Sequence, residues 1–233
     1  MTNVVLHHHL GLGDHFICNG LVHSLLERNN WEELHLVCKP HYSKTIKHLY
    51  EDFPNIKLLV VKDEYTEPAE FAKNNNMEML RIGFEHIDAN NFENSFYNQC
   101  TIDIDAEYTQ FMLPSRLDAS EEFYNKVTEK IGHDYIFVHK ECSIKNYDLK
   151  IDSSLPQHIA EKNDTDDILD YVHTICKAKE IHVINSGLNN LVFQLYYKGF
   201  IETDKIYYHA IRKIGDGGFP IKVLPGIEIV EYE

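Results

Sequence analysis

The sequence predicts an α/β fold made of two halves, each built on a parallel sheet. Short β-branched runs alternate with amphipathic helical stretches along the chain. The alternation lapses over residues 92–120 and then resumes. A strand that passes through a glycine turn into a helix occurs once in each part, near Gly11 and near Gly187. Strand–helix–strand spacing of this kind pairs its strands in parallel through crossovers. Two Rossmann-like halves follow, residues 1–115 and 116–233, with a ligand expected between them.

In the first half Val4–His9 is a strand, and Gly11-Leu-Gly-Asp14 turns it into a helix. Ile17, Leu21 and Leu25, with Cys18, Val22 and Leu26, give that helix two adjoining apolar faces. Leu34–Cys38 is the second strand, punctuated by Pro40. Tyr42–Phe53 is an amphipathic helix, stopped by Pro54. Ile56–Val61 is a strand, Glu67–Lys73 a short helix and Glu78–Gly83 a fourth strand. Phe92–Pro114, rich in Asn and Tyr, reads as an irregular connection.

The second half repeats the alternation. Glu121–Ile131 is a helix, Tyr135–His139 a strand, and a polar loop runs from Lys140 to about Ser154. A helix over Asp167–Lys179, a strand over Ile181–Ile184, a helix over Asn189–Lys198 and a strand over Ile206–His209 complete it.

Composition removes several function classes. The net charge of −15 repels a phosphate backbone, which argues against nucleic-acid binding. No stretch approaches the ~20 apolar residues of a membrane span, and the N-terminus has no basic region followed by an apolar run. The five cysteines are scattered and form no C-x-x-C pair, so reduced thiols and a cytoplasmic setting are expected. In so acidic a chain, a phosphate-bearing ligand must be held by helix N-termini, backbone amides and a few placed cations.

The candidate residues lie where strands end. Gly11 and Gly13 let a ligand approach the backbone, but Phe16 and Lys39 stand where a dinucleotide fingerprint needs a Gly and an acid. Asp14 suits a helix N-cap, and equally a general base for a hydroxyl. His15 beside it suits a surface histidine or a phosphate contact. Asn185, Ser186, Gly187 and Leu188 form a second strand–turn–helix, whose hydroxyl and amides suit either a cap or an anion nest. His139 and Lys140 end a hydrophobic strand, while His209 and Arg212 precede a glycine-rich turn. Arg212 suits a diphosphate or a structural ion pair. Asp103-Ile-Asp105 is a D-x-D, a pattern that resembles the metal signature of GT-A glycosyltransferases. Alternation puts His7 and His9 on one face and His8 on the other, so the triple histidine makes no compact ligand set. No metal and no cofactor is expected.

Gly11-Leu-Gly-Asp14 with its helix resembles the N-terminal motif of the heptosyltransferase family, glycosyltransferase family 9. Asn185-Ser-Gly-Leu188 is similar to that family's Asp-[Ser/Thr]-Gly-Leu donor-phosphate motif, with Asn185 in place of its Asp. The resemblance implies a GT-B-like fold, Asp14 as catalytic base, and Ser186, Gly187 and Leu188 on the diphosphate of a nucleotide-sugar. It implies metal-independent transfer to an acceptor the motifs do not name. The N-terminal half would then be the acceptor side and the C-terminal half the donor side. The alternatives are a non-catalytic sugar-nucleotide binding module and a metal-dependent enzyme using Asp103 and Asp105.

Overall fold

The computed structural model describes residues 2–88, 90–212 and 223–232. The chain divides into two compact units, Met1–Ser115 and Arg116–Glu233.

Unit 1 begins with β1 (Thr2–His7), which passes into α1 (Leu12–Ile17) and α2 (Asn19–Arg28). β2 (Trp31–Cys38), α3 (Ser43–Leu49), β3 (Ile56–Val60), α4 (Glu67–Asn74) and β4 (Glu78–Arg81) follow. Among the described residues these strands form a parallel sheet in the order β3-β2-β1-β4. β1 therefore lies between β2 and β4, with Leu6 opposite both Leu36 and Leu80. Val4, Val5 and Leu6 are all buried, because a parallel strand covered on both faces needs apolar side chains on both.

Two expectations are corrected here. The single helix after the glycine turn is broken at Cys18, whose N–H donates to the Asp14 carbonyl at 2.8 Å and whose carbonyl accepts from Val22. The stretch 92–114 is not an irregular connection: it holds α5 (Phe92–Gln99) and α6 (Ala106–Thr109). The Tyr97 hydroxyl donates to the Ile17 carbonyl at 2.7 Å, Arg28 donates to the Cys100 carbonyl, and Asn19 Oδ1 accepts the Met112 N–H. These helices are short and mostly polar, so tertiary anchors rather than helical periodicity hold them.

Unit 2 starts with α7 (Asp118–Ile131), ended by Gly132 at φ +82°. β5 (Ile136–His139), β6 (Gln157–Ile159), α8 (Val172–Cys176), β7 (Glu180–Ile184), α9 (Gly187–Tyr197), β8 (Ile206–Ala210) and β9 (Glu228–Glu231) complete it. The parallel order is β6-β5-β7-β8-β9. The helix expected over 167–179 is a 3-10 turn, Ile168–Tyr171, followed by α8; the Asp167 carboxylate caps it by accepting from Leu169 N–H at 3.0 Å. The edge strands β6 and β9 carry too few apolar residues to announce themselves in the sequence. The glycine-rich turn after Lys213 lies outside the described residues.

Gly20 is required by a close approach. A Cβ there would stand 2.0 Å from the Ala106 carbonyl oxygen, so a side chain would force α2 and α6 apart. Gly20→Ala should gain about 1 kcal/mol of helix propensity but lose about 1–3 kcal/mol to overpacking against rigid backbone. The expected outcome is net destabilisation, read as a lower urea midpoint; a midpoint equal to or above wild type would contradict the packing.

Candidate active site

In unit 2 the C-terminal ends of β5, β7 and β8 bring together residues from three chain segments. His139 opposes Val183, and Ile184 opposes His209, so His139, Asn185–Ser186 and Arg212 meet along one edge of the sheet. Ser186 is the N-cap of α9. Its Oγ accepts the Asn189 N–H at 3.2 Å and lies 3.1 Å from His139 Nδ1. The first helical bond of α9 runs from Asn190 N–H to the Ser186 carbonyl at 3.3 Å. The amides of Gly187 and Leu188 precede it and face out of the helix start, where the dipole favours an anion. Leu188 contributes only its amide, since its side chain is buried. Arg212 donates to the Asn185 carbonyl at 2.9 Å, which places a guanidinium beside this turn.

Burial lowers the pKa of His139 to about 4, so its ring is neutral at ordinary pH. Lys140 follows it directly and is partly exposed.

His209, expected among the donor contacts, lies within β8. It is fully buried, its Nε2 is 2.9 Å from His182 Nδ1, and its Nδ1 is 2.7 Å from the Tyr232 hydroxyl. That hydroxyl also accepts the Lys150 N–H at 2.8 Å. Both ring nitrogens of His209 are thus occupied by a network that joins β7, β8 and the segment after β9.

In unit 1 the β1–α1 turn places Asp14 at the third position of α1, not at its N-cap. The N-cap is Gly11, and the Asp14 carboxylate reaches back to accept the Gly11 N–H at 3.1 Å. Gly13 is the second residue of α1. The Asp14 pKa is raised: burial of its carboxyl outweighs His9, the Gly11 N–H and Lys39, which pull the other way. Asp14 nonetheless keeps partial solvent exposure. A dehydrated but reachable carboxylate suits proton abstraction. Sequence reasoning passed over Lys39 as a partner of Asp14, although its place directly after β2, at the C-terminal edge of the sheet, was a usable signal.

His15, expected beside the ligand, lies within α1. Its ring is fully buried, edge-on to His8 with centroids 4.6 Å apart, and neither ring nitrogen has a hydrogen-bond partner. Its pKa is well below the ordinary value because burial penalises the charged form. His8 Nδ1–H donates to the His9 carbonyl at 2.5 Å. Asp103 and Asp105 are exposed and form a local turn, in which Asp103 Oδ1 accepts the Asp105 N–H at 2.9 Å. Among the described residues no three His, Cys, Asp or Glu side chains cluster so as to hold a metal ion. No described helix is long and apolar enough to cross a membrane.

No protein-family model matches the chain, and no curated protein matches it. Among solved structures, the glycosyl transferase family 9 from Veillonella parvula DSM 2008 is similar with a TM-score of 0.56 at 11% identity. The match covers 100% of this chain and 88% of that one. E. coli heptosyltransferase WaaC with ADP is similar at TM-score 0.44 and 10% identity, over 100% and 94% of the two chains. The same enzyme with ADP-2-deoxy-2-fluoro heptose is similar at 0.47 and 9%, over 99% and 93%. The likeness to the Veillonella structure establishes a shared fold. The chain is a two-unit α/β protein with a parallel sheet in each unit among the described residues.

The buried histidines generate a pH expectation. His7, His8, His23 and His209 have folded pKa values near 4 because burial opposes their charging, against 6.5 when unfolded. Between those values the unfolded chain binds more protons, so stability is full above pH 6.5 and falls as pH drops toward 4. Asp14, whose pKa is raised, acts in the opposite sense but is outnumbered. Urea midpoints should decline between pH 7 and pH 5. A flat profile across that interval would show that these rings are hydrated.

Proposed function

We propose that the protein is a glycosyltransferase that takes a sugar from a nucleoside diphosphate-sugar without a metal ion. The observation that carries this reading is the start of α9, where Ser186, the Gly187 and Leu188 amides and Arg212 converge at the C-terminal edge of a parallel sheet. Such a cluster suits an anion's oxygens even in an acidic protein. The GT-B-like fold supports the choice of reaction.

Ser186, Gly187 and Leu188 bind the diphosphate, and Arg212 with Lys140 offsets its charge. Asp14 takes the proton from the acceptor hydroxyl. The freed oxygen bonds to the anomeric carbon as the bond from that carbon to the diphosphate oxygen breaks, and the electron pair leaves with the nucleoside diphosphate. The helix amides and Arg212 stabilise the charge that grows on the leaving group. Gly11 and Gly13 keep the backbone beside Asp14 narrow enough for an acceptor to approach.

The first test is a thermal-shift series with ADP, UDP and GDP and their sugar conjugates, with and without EDTA. A nucleotide at a hundred times its dissociation constant should stabilise by ~2.7 kcal/mol, and chelation should leave the shift unchanged. Loss of the shift with EDTA, restored by Mn²⁺, would favour a metal-dependent site instead.

Asp14→Asn separates chemistry from structure. Asn retains an oxygen for the Gly11 N–H and removes a carboxylate whose ionised form the fold disfavours, so stability at pH 7 should match or exceed wild type. Transfer should fall by about 10²–10⁴-fold, the usual contribution of a general base. Wild-type transfer by the folded variant would remove Asp14 from the mechanism.

A further inference from the structure

The hydrogen bonds around Ser186 have a consequence for how this site would take up an anion. A serine hydroxyl has one proton to give and two lone pairs to offer. One lone pair accepts the Asn189 N–H at 3.2 Å. The 3.1 Å contact with His139 Nδ1 can then run in either of two directions. If Nδ1 carries no proton, Ser186 donates to it and has nothing left for a ligand. If Nδ1 is protonated, it donates to the second lone pair, and the serine proton is released toward an acceptor outside.

We propose that His139 is a positioning residue that controls the Ser186 hydroxyl through its tautomer. In the free protein Nδ1 is bare and accepts the serine proton, with the ring hydrogen on Nε2. With an anion at the start of α9, Nδ1–H donates to Ser186 and the serine O–H turns to the anion. The exchange is balanced: Nδ1 takes one proton from water, Nε2 returns one, and the ring stays neutral throughout.

The surroundings favour a neutral exchange over charging of the ring. Burial holds the imidazole uncharged at ordinary pH. Tyr208, bonded to Asn185, is held protonated by burial, and its pKa is pushed up to about 12. In the free protein the bare Nδ1 gives the serine proton an acceptor within the protein. The bond to His139 thus withholds the hydroxyl until an anion competes for it, while the cap to Asn189 N–H stays in place.

The inference rests on the reading of the α9 start as a diphosphate site, so the experiment separates the two. Uniformly ¹⁵N-labelled protein is titrated with inorganic pyrophosphate and with ADP at pH 7.5, following the ring nitrogens of His139 while calorimetry reads binding. In the free protein Nδ1 should resonate as an unprotonated nitrogen and Nε2 as a protonated one; on saturation the two should exchange roles. In Ser186→Ala the weaker binding that remains should leave the His139 signals in place, because the coupling runs through the serine. Binding without the exchange, a protonated Nδ1 in the free protein, or an exchange that persists in Ser186→Ala would overturn the proposal and leave the diphosphate site standing. If neither pyrophosphate nor ADP binds, the site and the gate fall together.

Discussion

Burial of the parallel strands on both faces is the constraint from which the rest of this protein follows. Val4, Val5 and Leu6 in β1, like Ile136, Phe137 and Val138 in β5, have no solvent face at all. A strand covered on both sides cannot carry charged chemistry along its length. Reactive groups are therefore displaced to the strand ends, where Asp14, Lys39, His139 and Ser186 are found. Histidines that remain within the layers are kept neutral by the same burial, which is why His7, His8 and His15 read as core and not as acids.

The anion site proposed in unit 2 has to coexist with an overall charge of −15. The long-range field of the chain disfavours phosphate, so attraction must come from groups within a few ångströms of the ligand. Helix amides cannot be neutralised by the acidic surface, and a guanidinium offers several donors in a fixed fork. The Arg212 bond to the Asn185 carbonyl also fixes the turn that leads into α9.

Asp14 expresses the opposite tension. Its carboxylate is enclosed enough to resist ionisation, and the Gly11 N–H, His9 and Lys39 work against that resistance. A carboxylate held in this way costs the β1–α1 turn some stability whenever it is ionised. In unit 2 the chain of contacts from Lys150 through Tyr232 and His209 to His182 instead gives both ring nitrogens of the buried His209 a partner.

Much of this fold was legible in the sequence because hydrophobic periodicity records burial directly. The runs at 4–9, 34–38, 135–139 and 181–184 show strands, and the glycine turns at Gly11 and Gly187 mark where the helices begin. Polar or short elements were not legible: α5, α6, β6 and β9 depend on partners distant in the chain, such as Ile17 for Tyr97 and β8 for β9. The same division holds at the site. Residue type and a strand–turn–helix pattern placed Asp14 and Ser186 near helix starts, where the structure has them. Only tertiary structure decided that His15 and His209 are buried, that Asp14 is the third residue of its helix, and that His139 faces Ser186 from a different strand. A sequence states which groups are available, but the direction in which a side chain points is set by the strands packed on either side of it.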